Sequence, residues 1–259
     1  MQFGERTWKE IEGLTDKVVV LPLASCEQHG HHLPLLTDTM ICQEIVSRAE
    51  TELADTALFL PTLWVGASNH HRGFPGTISL SNDVYKQVLM DILESLIGGG
   101  FRRIFLLSAH GGNHTPGCSA VYDVQLRHKD KPDLWIAFGE WMTIAGKQIA
   151  DLADVKQDHV IHACEIETSM ILRLQPKLVK REVAKGAEIP FESAFYCPDF
   201  SRSSRVVVPR SLEQLSKTGA FAHPEDATAE KGESLFDVTI NEIVSFVREF
   251  ATWSNFDPQ

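Results

Sequence analysis

Four short apolar runs punctuate the chain: Lys17–Leu23, Leu58–Val65, Arg103–Ala109 and Leu134–Phe138. Each is rich in β-branched or aromatic residues and bounded by turn-forming ones, the pattern of a strand buried on both faces. Between them lie longer segments with helical spacing, Asp38–Leu53, Asn82–Ile97 and Thr115–Arg127, and a last one runs from about Asp226 to Phe250. Such alternation restricts the chain to βαβ units, so an α/β/α sandwich around a mostly parallel sheet is expected. With 259 residues and no polar linker, one domain spanning 1–259 is expected. Ser81 before Asn82-Asp83 and the Gly98–Gly100 triplet mark the start and stop of one helix. Residues 177–215, with Pro190, Pro198, Pro209 and the Ser201–Arg205 cluster, form a loop-rich excursion expected to border a site.

The net charge of −11 argues against nucleic acid or an anionic membrane surface as partner. No stretch approaches the roughly 18 apolar residues of a membrane span, and the first residues lack a signal peptide's apolar core, so a cytoplasmic location is expected. Five cysteines without a C-x-x-C pair fit a reducing compartment and do not suggest thiolate zinc.

Eleven histidines are present, and nine fall in four clusters: His29/His31/His32, His70/His71, His110/His114 and His159/His162. Glu27 and His29 follow the first strand two residues apart, on one side if the extended geometry persists, and Asp38 comes nine residues after His29. Two carboxylates and an imidazole suit a divalent ion such as Zn²⁺ or Mn²⁺, although an isolated E-x-H is more often surface decoration. His110 ends another strand, and ligands of parallel sheets gather outside the carboxyl ends of strands. Gly111 and Gly112 after it permit a tight turn and a close backbone approach to an ion or substrate. In His162-Ala-Cys-Glu-Ile-Glu167 the two glutamates stand about 200° apart on a helix, so only one can enter a site. Cys26 alternates away from Glu27 and His29, against a nucleophilic thiol.

Taken in order, Glu27-Gln-His29-Gly-x-His-Leu-Pro-x-x-Thr-Asp38, Phe74-Pro-Gly-Thr77, His110-Gly-Gly-Asn113 and His162-Ala-x-x-x-Glu167-Thr-Ser resemble the creatininase (creatinine amidohydrolase) family, with Ala227-Thr-Ala-Glu-Lys-Gly232 close to its C-terminal pattern. The resemblance implies a two-metal amidohydrolase: two divalent ions, Zn²⁺ first and Mn²⁺ or Fe²⁺ as alternatives, with Glu27, His29, Asp38 and His110 as ligands and Asp38 the bridge. It also implies a homo-oligomer, often a hexamer. Members acting on creatinine carry a glutamate where this chain has Gly112, so Glu167 becomes the candidate fifth ligand. They also place a tryptophan shortly before the histidine matching His162, where this chain has Asp158 and His159; Trp141 is the candidate aromatic contact, and creatinine itself is disfavoured.

The reading that uses every group is hydrolysis of a small, non-peptide, cyclic amide by a metal-bridging hydroxide, with His162 and Glu167 catalytic and His71, Gly111, Gly112 and Trp141 contacting substrate. Deformylation, removal of a short peptide's terminal residue, and metal binding without catalysis are the alternatives.

Overall fold

A computed structural model of the chain describes residues 1–155, 161–197 and 204–255. Asp158, His159, Pro198 and Ser201–Ser203 lie outside the described residues. Strands β1 (Val18–Leu23), β2 (Ala57–Phe59), β3 (Arg103–Ser108) and β4 (Trp135–Glu140) form one sheet in the order β2-β1-β3-β4, with every pairing parallel. Register pairs Val18 with Ala57 and Arg103, and Arg103 with Trp135.

Alternation along the strands divides the apolar residues between two cores. Val18, Val20, Phe105 and Leu107 face helices α1 (Thr37–Glu52), α4 (Glu165–Leu174) and α5 (Ala229–Phe250). Val19, Leu21, Ile104 and Leu106 face α2 (Asn82–Gly98) and α3 (His114–Arg127). All six β1 residues are buried, as a central parallel strand covered on both sides requires. The expected α/β/α layering is therefore present.

Two boundaries differ from expectation for identifiable reasons. The run at 58–65 yields only the three-residue β2, because pairing with β1 slips by one residue around Pro61, from Val20 opposite Phe59 to Leu23 opposite Leu63; beyond the slip Leu63 N–H donates to Pro22 C=O and Ala24 N–H to Leu63 C=O, each at 2.9 Å. Helix α5 begins at Ala229 rather than Asp226, since Thr228 caps it by accepting Lys231 N–H at 3.2 Å and Pro224–Asp226 form a separate 3-10 turn. The described part of the 177–215 excursion has 3-10 turns at Arg181–Val183 and Leu212–Gln214 and no long element. Among the described residues no helix is long and apolar enough to cross a membrane.

Candidate metal centre

The carboxyl ends of β1 and β3, neighbours in the sheet, release two loops that carry the buried polar residues Ser25, Glu27, Gln28, His29, His32, His110 and Asn113. After β1 the chain turns at Gly30, whose φ of +66° and 2.8 Å approach of an added Cβ to Ala220 exclude other residues. That turn aims both Glu27 and His29 inward although strand pairing has already ended, and it returns the chain to α1 with Asp38 in the first helical turn. His110 follows β3 by two residues, and Glu167 lies in the first turn of α4. Glu27, His29, Asp38, His110 and Glu167 are each at most 5% exposed.

Asp38 stands at the middle of this set. Its Oδ1 lies 3.0 Å from His29 Nε2 and its Oδ2 3.2 Å from His110 Nδ1, so the two oxygens address different imidazoles. Ser25 Oγ donates to Oδ2 at 2.7 Å and fixes the carboxylate's rotation. Glu27 Oε1 is 3.1 Å from His110 Nδ1 and 3.2 Å from His71 Nε2, while Glu167 Oε1 is 3.9 Å from His29 Nε2. Two donor groups result, Glu27/Asp38/His110 and His29/His162/Glu167, each compact enough for one ion, with Asp38 Oδ1 of the first against His29 of the second.

Hydrogen bonds to groups with only one possible role assign the ring tautomers. His29 Nδ1–H donates to Glu27 C=O at 3.2 Å, leaving Nε2 to face the carboxylates of Asp38 and Glu167. His162 Nε2–H donates to Gln28 C=O at 2.8 Å, so Nδ1 turns its lone pair into the site. Gly30 N–H donates to Gln28 Oε1 at 2.9 Å, which turns the Gln28 NH₂ toward His71 Nδ1 at 3.1 Å. His71 therefore accepts at Nδ1 and carries its proton on Nε2, which stands 3.2 Å from Glu27 Oε1 without the alignment of a hydrogen bond. A third group, Glu27/His71/His162, is close enough for an ion by distance alone, but this tautomer opposes it.

The residues fit bound cations on two observations. Both Glu27 oxygens are buried without a hydrogen-bond partner, a costly state for a carboxylate. Protonation follows the same deficit of positive charge: burial opposes a proton on His29, yet Asp38 first, then Glu167 and Glu27, lift its pKa to about 9. Burial likewise opposes a charged His110, and Glu27 and Asp38 hold it well above the usual range. Burial pushes Glu167 up to about 7 against the pull of His29, with Asp38 and Glu27 adding to the rise. Burial and neighbouring imidazoles keep His71 and His162 neutral, well below the ordinary histidine range. Protons and metal cations compete for such a cluster of buried carboxylates and imidazoles.

A cavity of about 630 Å³ opens onto these residues. His71, Gly111, Gly112, Trp141 and His162 line it, and Leu212 brings in the loop-rich excursion. Trp141 is 2% exposed, so only its edge is available. Gly112 is fixed sterically: a Cβ there would lie 2.2 Å from Ala67 C=O and 2.3 Å from His110 Nε2. No glutamate can replace it without moving the loop, and Glu167 reaches the centre from α4 instead. The helical-spacing rule for that helix holds, since Glu165 points away and pairs with Lys231.

Sequence reasoning missed several contributors. Gln28 sits inside the first motif, but strand alternation would have turned it away from Glu27 and His29. Ser25 and Ser68, the latter 3.1 Å from His110 Nε2, carry no sequence signal of their own. His70 lines the cavity with its ring nearly parallel to that of His110 at 5.6 Å; the clustered pair His70/His71 was its only trace. Glu140, also in the cavity wall, lay beyond the expected end of β4 at Phe138. His32 has a structural task, bonding Thr168 Oγ1 at 2.9 Å.

Comparison with known proteins gives consistent results. Residues 4–247 match the Creatininase model, described as creatinine amidohydrolase. A mycofactocin precursor peptide peptidase of Mycobacterium ulcerans is 30% identical over 91% of this chain and 85% of its own length. Creatinine amidohydrolase of Pseudomonas putida is 26% identical over 95% of each. A creatininase variant solved with creatine superposes with a TM-score of 0.77 at 26% identity, covering 97% of this chain and 99% of its own. Creatininases in Zn-Zn and manganese forms superpose with TM-scores of 0.75 and 0.73, each at 26% identity and covering 96% of this chain and 97% of theirs. A family match over nearly the whole length, on a sheet whose strand ends converge on this buried acid–imidazole cluster, places the chain in the creatininase family, among hydrolases of C–N bonds.

Proposed function

We propose that this protein is a metal-dependent amidohydrolase that opens a small amide, with two divalent ions, Zn²⁺ or Mn²⁺, held at Glu27/Asp38/His110 and at His29/Asp38/Glu167. The observation that carries this reading is the pair of buried, unpartnered Glu27 oxygens beside an Asp38 whose two oxygens address different imidazoles. Bound there, divalent ions lower the pKa of water and polarise an amide carbonyl.

The chain's own groups supply the rest. His162, neutral and anchored through Nε2–H to Gln28 C=O, keeps Nδ1 free to accept a proton in the site and return it to the departing nitrogen. Glu167 is oriented by Ala163 N–H, which donates to its Oε2 at 2.5 Å. Gln28 fixes the His71 ring, whose Nε2 stands 3.2 Å from Glu27 Oε1. Apolar walls at Trp141, Ile161 and Ile166 limit water around the scissile bond.

A cyclic amide fits this cavity. A short peptide is the second reading, favoured by the peptidase relatives and by a volume larger than a simple lactam needs. Metal analysis followed by assays of lactams, formamides and short peptides tests both. Turnover that chelation abolishes and Zn²⁺ or Mn²⁺ restores is expected, and His162→Ala should lower kcat strongly at unchanged metal content. Full metal occupancy with no hydrolysis across the panel would overturn the proposal.

A further inference from the structure

One acid in the cavity has no part in the candidate metal centre. Glu140 ends β4 in register with Ser108 at the end of β3. Alternation puts it on the side of Ile136 and Phe138, toward α3, and its carboxylate meets the cavity beside His110 and Trp141. Its Oε2 is 3.6 Å from His114 Nδ1, too long for a hydrogen bond, and its Oε1 is buried with no hydrogen-bond partner. The terminal torsion of a glutamate is soft, so either oxygen can turn into the cavity. Glu140 belongs to none of the three compact donor groups among the described residues, so an ion held by those groups leaves it without its own counter-charge.

With His110 committed to the metal centre, no fixed cation in the described cavity wall supplies that charge. The lining residues include Glu27, Asp38, Glu167 and Glu140 but no lysine or arginine. Around Glu140 the wall turns apolar at Trp141, Met142 and Ile149, where a charge pair is stronger than in water.

We propose that Glu140 is the recognition carboxylate of this cavity and pairs with a protonated amine on the substrate, which makes the substrate class an amino-amide. Glu140 thus selects the substrate while the metal centre acts on its amide, and only the amide half of this assignment rests on the amidohydrolase reading.

Matched ligands differing only by ammonium against methyl provide the test: glycinamide with propionamide, 4-aminobutanamide with pentanamide, and 6-aminohexanamide with heptanamide. Binding to the metal-loaded protein is followed by ligand-observed NMR, and hydrolysis is followed in parallel. In at least one pair the amine should bind about tenfold more tightly, the scale of one charged hydrogen bond. Glu140→Gln should reduce that ratio to below roughly threefold at unchanged metal content, while Glu140→Asp retains part of it, which separates lost recognition from a damaged fold. A ratio below roughly threefold in every pair, a ratio unaltered in Glu140→Gln, or loss of metal from that variant would overturn the assignment. Amine preference without hydrolysis of any amide would instead fail the amidohydrolase reading and leave Glu140 standing as the recognition group.

Discussion

Glu165 and Glu167 share the first turn of α4, and neither reaches solvent, at 0% and 5% exposed. Glu165 faces α5, where Lys231 Nζ bonds it and also donates to Asp226 C=O at 2.8 Å. Glu167 faces the strand ends, and its neighbours are an amide N–H, an imidazole and two further carboxylates. One buried acid therefore has a resident cation, and the other has been left to attract one. Since stranding a buried charge is costly, the first arrangement serves the fold, whereas the second keeps its cost so that something can bind.

Exchanging each acid for its neutral isostere breaks the comparison most directly. Glu165→Gln strands Lys231, which is only 13% exposed, and should lower the unfolding free energy by about 3 kcal/mol with metal content unchanged. Adding Lys231→Met should recover most of that loss. Denaturant unfolding of the single and double variants checks both outcomes; equal stability of Glu165→Gln and the unsubstituted protein would show that the pair holds nothing together.

Glu167→Gln should do the reverse. The chelator-treated variant is expected to be at least as stable as the unsubstituted protein, because a crowded acid has been removed from beside Asp38 and Glu27. Metal affinity should fall by about 100-fold, the upper end of effects seen when a metal's supporting groups are lost. A titration with Zn²⁺ measures this, and undiminished affinity would remove Glu167 from the ligand set.

How much of this contrast is legible in the sequence depends on chain distance. Helical geometry alone separates the two glutamates, and strand ends alone gather Glu27, His29 and His110, since both rules act within one element or at its boundary. Lys231 is 66 residues from Glu165 and announces itself by no spacing, so only folding reveals which acid it neutralises. Gln28 and His71, 43 residues apart, are joined the same way, and their bond decides a tautomer that no motif encodes. Glu140 was hidden by a two-residue error: β4 read as ending at Phe138 places its last, functional residue in a loop. The apolar periodicity that specifies the layers is blind to a polar residue appended to a strand's end.

Acid sharpens the comparison further, because the site's surroundings also hold histidines kept neutral. His32, 1% exposed, has its pKa lowered to about 4, chiefly by burial and then by His29 and His31. Its folded value lies below the unfolded value of about 6.5, so the unfolded chain binds the proton first and stability falls as pH drops through that window. Between pH 7 and pH 5 the metal-free protein should lose about 2 kcal/mol through this group. His32→Gln should flatten that part of the profile, whereas Glu165→Gln, which removes the partner of Lys231 and leaves the His32 bond to Thr168 in place, should shift the curve without changing its shape. Unfolding curves at the two pH values test both.

The smallest effect concerns how Glu167 is held. Ala163 adopts φ = +49°, a left-handed conformation unusual for a residue with a Cβ, and from there its N–H donates to Glu167 while the adjacent His162 reaches Gln28. Glycine would remove strain of about 1–2 kcal/mol but restore about 0.5–1 kcal/mol of chain entropy to the unfolded state. Ala163→Gly is therefore expected within about 1 kcal/mol of the unsubstituted protein, on the stabilised side. Any loss of activity in that variant would then come from a looser Glu167 or His162 rather than from a weaker fold, and Glu165→Gln serves as the opposite control, costing stability while sparing the site. A marked destabilisation by Ala163→Gly would show that the alanine methyl, buried among α1, α4 and α5, contributes more through packing than its backbone costs through strain.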